Sequence, residues 1–226
     1  MTNNNLIKIL FVASKGSKNL LVSNQANSLL KFSQGEIIID FFEIKSGIVN
    51  YLISIFRLNK FLKRNYYHVI HAHYGWCGVV SLLAKKKEKL IVSFMGDDLI
   101  GSLNPKMKYT FFSIVVVYLN KFLAKYYYNF VIVKSNNLEK KLKGIKNVEV
   151  VPNGVNVSKF HPLNKNESRK LIDWEVEKNY VIFVSNPDRP EKNFKLAKNA
   201  INLLSYKNTI LSVLFGLPND KLISLS

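Results

Sequence analysis

Cysteine is almost missing from this chain: among 226 residues only Cys77 carries a thiol, which excludes a disulfide within the chain and points to a reducing compartment. Acidic residues are scarce as well. Aspartate and glutamate total 15 against 33 lysines and arginines, a formal net charge of +18, and the only arginines are Arg57, Arg64, Arg169 and Arg189. A lysine excess suits anionic partners such as phosphates, lipid headgroups or nucleic acid, although a genome-wide bias toward lysine and asparagine gives the same composition. Nucleic acid is the disfavoured partner, because the lysines scatter over every expected helix and loop and form no basic repeat or known binding motif. Also missing is a secretory signal: Met1 to Asn5 is polar and leads straight into a short strand-like run, so the expected location is cytoplasmic.

What is present is the material of a folded protein. A hydrophobic fraction of 48% and an aromatic fraction of 12% allow a large core and exclude disorder as the overall description. Apolar runs of strand length are expected at Ile7 to Ala13, Glu36 to Phe42, His68 to Ala72, Leu90 to Phe94, Phe130 to Val133 and Val148 to Val151. They are mostly continuous, as strands buried in a parallel sheet require. Between them lie helix patterns at Lys18 to Phe32, Ile48 to Asn65, Gly78 to Lys86, Met107 to Tyr126 and Asn137 to Lys143. This alternation predicts an α/β fold with a doubly wound, Rossmann-like parallel sheet over residues 1–163. Residues 163–170 suit a linker or an exposed helix start. A strand at Tyr180 to Val184, a helix at Lys192 to Leu204 and a strand at Ile210 to Phe215 then make one βαβ unit, so residues 164–226 are expected to be an incomplete second domain.

The strongly apolar, tyrosine-rich stretch from Tyr109 to Tyr128 has three readings. Its unbroken apolar part, Ile114 to Leu119, is far short of the roughly 20 residues of a spanning helix, and Asn120, Lys121 and Lys125 interrupt the rest. A buried core helix is the leading expectation. The third reading is a helix lying on an anionic bilayer surface, where lysines flank an aromatic face.

Five places carry candidate chemistry. Ala13 to Asn19, with Gly16, is the first strand-to-helix turn, where backbone amides favour anions, but it lacks the spaced glycines of a dinucleotide site, and a plain turn glycine is the competing view. His71 and His73 stand two apart at a strand end, on one face, able to reach a cleft together or simply to pack. With Cys77 nearby they match no standard zinc spacing, so no metal site is expected. Gly96, Asp97 and Asp98 follow the next strand. Adjacent carboxylates repel, which raises one pKa toward the range of proton transfer; alternatively, one aspartate caps the turn and the other faces water. In Val151-Pro152-Asn153-Gly154-Val155-Asn156, proline fixes φ and Gly154 supplies a left-handed or close-approach position. Finally, Arg189-Pro190-Glu191-Lys192-Asn193 places two cations on a strand-to-helix turn, as if forming half of a phosphate-binding cleft.

In this order the motifs resemble the GT-B glycosyltransferases of the family 4 type, over nearly the whole chain. The resemblance implies a retaining, metal-independent hexosyltransferase without a cofactor, using a nucleotide sugar as donor, with the acceptor on the N-terminal domain and the donor on the C-terminal one. Arg189 and Lys192 match the pair that neutralises the departing diphosphate, where fixed cations count for more in the transition state than in the ground state. Gly16 matches the first-turn glycine beside the phosphates, and Asn153 and Gly154 match the turn lining the cleft. Met95 stands where many relatives carry a histidine, and Asp97 or Asp98 is expected to take over its polar contact. The glutamate pair that holds the donor in the family has no equivalent before Ser226, so this stretch by itself is expected to bind acceptor better than donor and to turn over little. The expected role is synthesis of a surface polysaccharide or glycolipid from a sugar or lipid-linked acceptor, at the inner face of the plasma membrane. The competing expectations are a non-catalytic acceptor-binding remnant of the same fold and, further off, a Rossmann oxidoreductase.

Overall fold

The computed structural model describes residues 6–15, 18–158, 160–204 and 208–215. These form two compact units, the first from the chain through Gly101 together with Phe111–Asn153, the second from Ser102–Thr110 and the chain from Gly154 onward.

The first unit is a six-stranded parallel sheet built from β1 (Ile7–Ser14), β2 (Ile37–Ile44), β3 (Val69–His73), β4 (Lys89–Ser93), β5 (Phe130–Val133) and β6 (Val148–Val150), in the order β2-β1-β3-β4-β5-β6. Strand β1 is interior, and its run from Leu10 to Ala13 is wholly buried; β2 is an edge strand, and its burial alternates, with Ile39 and Phe42 buried and Asp40 exposed. Helices α1 (Leu20–Phe32), α2 (Ile48–Leu62), α3 (Gly75–Ala84) and α5 (Phe111–Tyr126), with one-turn helices α4 (Asp97–Ile100) and α6 (Asn136–Glu139), cover it. Asn19 caps α1 by accepting from the Val22 amide at 3.4 Å. Two apolar clusters show that both faces are covered. Leu10, Val12, Leu58, Ile70, Cys77, Val80 and their neighbours form the larger cluster, and Phe11, Ala13, Val22 and Ala26 form the smaller one under α1. Strand order reverses between β1 and β3, and at such a switch point an open α/β sheet binds ligands outside the carboxyl ends of its strands. The expected α/β, Rossmann-like class is therefore what the chain forms.

The second unit holds α7 (Lys165–Leu171), the parallel pair β7 (Asn179–Phe183) and β8 (Thr209–Val213), and α8 (Phe194–Asn202) between them. The stretch expected as linker or helix start is helix α7, begun by Asn164, whose side chain accepts from the amides of Asn166 and Glu167 at 3.0 and 3.2 Å. Trp174 stacks on Tyr180, with ring centroids 4.0 Å apart, and ties the end of α7 to β7.

Three local expectations are corrected. First, α3 begins at Gly75, not Gly78, so a single residue joins strand to helix. Second, Gly154 neither adopts a positive φ nor has any heavy atom within 4 Å of where a side chain would start, so conformational freedom does not explain it. Third, α5 is not a core helix. It buries Ser113, Asn120, Leu123 and Ala124 and turns its aromatic and aliphatic side outward. The inward polar residue has a reason: Asn120 donates to the Asp98 carbonyl at 3.0 Å and packs against Gly75, where an added Cβ would lie 2.6 Å from the amide nitrogen. Among the described residues no helix is long and apolar enough to cross a membrane.

Candidate functional site

The carboxyl edge of the first unit gathers His71, His73, Gly96 and Asp98. A strand that runs into a helix through one residue demands an unusual backbone, and Tyr74 supplies it, with φ 88° and ψ 144° in a region normally left to glycine. Hydrogen bonds on both sides hold it there: the Tyr74 amide donates to the Ser93 carbonyl at 2.9 Å, and the Gly75 amide donates to Asp98 Oδ1 at 2.9 Å. Asp98 Oδ2 accepts from the Met95 amide at 2.7 Å. Asp98 thus clips the N-terminus of α3 to the loop after β4. Gly96, at φ 137°, makes the bend that lets one carboxylate reach both amides. Asp97, next to it, is exposed.

Burial sets the charges here. Asp98 is 2% exposed, and burial pushes its carboxyl up to about 6 against the pull of its two amide bonds, with the Asp97 charge adding to the rise. His71 and His73 are both buried, stacked on each other at 4.2 Å and packed against Phe11. Burial lowers His71 to about 3 and His73 well below its ordinary value; the charge of Lys134 lowers both further. Both are neutral imidazoles near neutral pH. His71 Nε2 pairs with Ser93 Oγ at 2.8 Å, while neither ring nitrogen of His73 has a hydrogen-bond partner. Cys77 is fully buried, and its thiol is pushed up to about 12 by burial, which makes it inert.

Sequence reasoning missed Tyr74, Asn120 and Lys134. Lys134 follows β5 on the same sheet edge and is half-buried, with its pKa lowered by burial. A signal for Tyr74 existed in the close succession of His-Ala-His and Gly75; nothing in the sequence marked Asn120 as an inward residue of an apolar helix. An open depression of about 330 Å³ near Leu62, Tyr67 and Glu88 lies at the opposite, amino edge of the strands, away from the ligand-binding side of such sheets.

In the second unit, Arg189 to Asn193 form the turn between β7 and α8, with residues Pro190–Lys192 in a single 3-10 turn. Asn193, at φ 49°, ends that turn and caps α8 through the Leu196 amide at 3.3 Å. Two cations therefore stand at a helix N-terminus, an arrangement suited to phosphate. Arg189 Nε pairs with Glu191, which braces the turn. Asn153 ends the first unit, Gly154 starts the second, and Gly16 lies outside the described residues.

Among solved structures, the chain is similar to a glycosyltransferase from Rickettsia africae ESF-5 (TM-score 0.61, 14% identity, 98% of this chain and 70% of that one). It is also similar to the lipopolysaccharide outer core galactosyltransferase WaaB in its apo form (0.53, 12%, 95% and 70%). A third is the UDP-N-acetylglucosamine 2-epimerase of Rickettsia bellii (0.53, 12%, 98% and 65%). At such identities the likeness speaks for the fold alone, which is that of the GT-B glycosyltransferases. No curated protein matches the chain. The sequence model of Glycosyltransferase Family 4, however, matches residues 16–159, more than half of the chain and nearly all of the first unit. The chain belongs to glycosyltransferase family 4.

Proposed function

We propose that the protein is a retaining hexosyltransferase that moves a sugar from a nucleoside diphosphate donor to an acceptor hydroxyl in the cytoplasm, building a surface polysaccharide or glycolipid and using no cofactor beyond the donor. The observation that carries this reading is the Arg189–Lys192 turn ahead of α8. In the transfer the bond from the sugar anomeric carbon to the diphosphate oxygen breaks and its electron pair leaves with the diphosphate. The acceptor oxygen bonds to that carbon, and its proton passes to the departing diphosphate, the strongest base that the step creates. Arg189 and Lys192 face charge that grows along this path, so they stabilise the transition state more than the bound donor. In the first unit Asp98 is a positioning residue, its oxygens held by two backbone amides, and the exposed Asp97 is the carboxylate of the pair that meets a sugar hydroxyl. The neutral imidazoles of His71 and His73 pack beneath the acceptor edge of the first unit.

Replacing Arg189 and Lys192 together with alanine is expected to weaken binding of nucleoside diphosphate sugars by about 100-fold or more, since a charge-assisted hydrogen bond contributes about 1.5–3 kcal/mol. Titration calorimetry across a panel of such donors measures it. Unchanged affinity in the double variant, or tighter binding of a dinucleotide than of any nucleotide sugar, would overturn the proposal.

A further inference from the structure

The carboxyl edge of the first unit holds two polar side chains that the fold leaves without an answer. The first is His73, which ends β3, is 3% exposed and has no hydrogen-bond partner at either ring nitrogen, although its neighbour His71 pairs with Ser93. A buried polar group of this kind is uncommon and costly. The second is Lys134, one residue past β5, which is half-buried and whose pKa burial lowers. Among the described residues its ammonium has no hydrogen bond or ion pair. Withdrawing a cation from water without a partner works against the fold, and such groups gather where a ligand supplies what the protein does not.

The sheet register brings the two together. His73 stands opposite Ser93 of β4, and Ser93 opposite Ile132 of β5, so the three share one row; Lys134 follows two residues after Ile132, and its charge reaches both imidazoles. Nothing in this group balances that charge. His71 and His73 are neutral near neutral pH, Ser93 is a hydroxyl, and Asp98, the buried carboxyl of the same edge, is held by the amides of Gly75 and Met95. The group that complements a lone ammonium at the ligand-binding edge of a parallel sheet is an oxyanion. The ring nitrogens of His73 are covered, so the contact falls to Lys134. An unprotonated nitrogen of His73 can accept from one N–H of the ammonium and leave the others for the ligand.

We propose that Lys134 receives an oxyanion of the acceptor, with His73 as the positioning residue behind it, so that the acceptor is an acidic sugar bearing a carboxylate or a phosphate. This step rests on the glycosyltransferase reading above: the cations assigned to the donor diphosphate, Arg189 and Lys192, belong to the second unit, which leaves this edge of the first unit to the acceptor.

The test compares binding of glucuronate, glucose-6-phosphate and glucose at about physiological salt, followed by nuclear magnetic resonance on protein with isotope-labelled histidine. At least one acidic sugar is expected to bind about tenfold or more tightly than glucose, and the His73 ring resonances should shift as the site fills. Preference for glucuronate would identify a uronic acid and preference for the sugar phosphate a phosphorylated sugar; either supports the subsite. The Lys134→Met variant is expected to bind the acidic sugars no better than glucose. Its affinity for nucleoside diphosphate sugars should hold and its melting temperature should not fall, because the ammonium has no partner to lose. Lys140→Met, which removes the same charge from an exposed position, should bind as the parent does. Equal affinity for the three sugars, or a Lys134 variant that binds like its parent, would overturn the proposal. So would an equal loss in Lys140→Met, which would assign the effect to the net charge of +18, or a loss of nucleotide-sugar affinity in Lys134→Met, which would give this cation to the donor. Intact donor binding beside failed acidic-sugar binding removes this subsite alone; the reverse removes the transferase reading and leaves an oxyanion site at Lys134.

Discussion

Acidifying the protein from pH 6.5 to about pH 3 is expected to remove about 4 kcal/mol of stability from the first unit through His71 alone, given its lowering from 6.5 to about 3 by burial. The direction follows from which state takes the proton. The unfolded imidazole binds a proton as pH falls through 6.5, whereas the folded one does so only near 3, so the contribution is complete above pH 6.5 and drains away below it. His73, shifted in the same direction, adds to the loss. Asp98 opposes them. Its folded pKa of about 6 lies above the ordinary 3.8, so the folded state takes that proton first and gains about 3 kcal/mol as pH falls through this window. Two buried histidines outweigh one buried carboxyl, and the unit is expected to unfold in acid. Replacing His73 with leucine isolates the cause. Neither ring nitrogen has a partner to lose, so the variant should match or exceed the parent at pH 7. Its stability should also fall less on acidification. Denaturant melts followed by circular dichroism at a series of pH values measure this, and parallel curves for the two proteins would contradict it.

The second large effect is at Asp98. Its replacement by alanine leaves the amides of Gly75 and Met95 without an acceptor in a buried corner, at about 3–5 kcal/mol for two lost charge-assisted bonds. In a protein of this size that lowers the melting temperature by about 10 °C. The effect should be steep because the same carboxylate restrains Tyr74, whose backbone stores strain that only the surrounding bonds maintain. Asp97→Ala, at an exposed carboxylate, is expected to change stability by less than about 0.5 kcal/mol. Differential scanning calorimetry separates the two positions. A parent-like melting temperature in the Asp98 variant would mean that the carboxylate does not hold the loop, and would return it to consideration as a proton-transfer group.

Most of the sheet was legible because parallel strands announce themselves. Every expected strand is present within two residues at each end, since continuous apolar runs such as Leu10 to Ala13 have no other place in a folded chain. The helices that read least well were those decided by partners far along the chain. Helix α5 looked like core because its composition is apolar. Its orientation is fixed by one polar residue, Asn120, which turns inward to meet the Asp98 carbonyl and Gly75, and no local pattern reveals a bond across 22 residues. The same holds for the start of α3, where Asp98 supplies from a distance what a local cap normally provides. At the candidate site, the residue types were visible and their depth was not. His71 and His73 read equally well as exposed or packed, and only the covering ring of Phe11 shows that they are buried. The Arg189 to Lys192 turn was legible because its charges, its proline and the helix after it are all local.

The central claim is sugar transfer, and the direct measurement is the fate of the donor sugar. Radiolabelled nucleoside diphosphate hexoses are incubated with the protein and a lipid extract carrying candidate acceptors, and the products are resolved by chromatography and by the anomeric coupling of the purified product. Label is expected in a new glycosidic product with the donor's anomeric configuration, formed slowly but lost when Arg189 and Lys192 are replaced by alanine. Label recovered as an epimer of the donor without need of an acceptor, as for the epimerase that shares this fold, would contradict it.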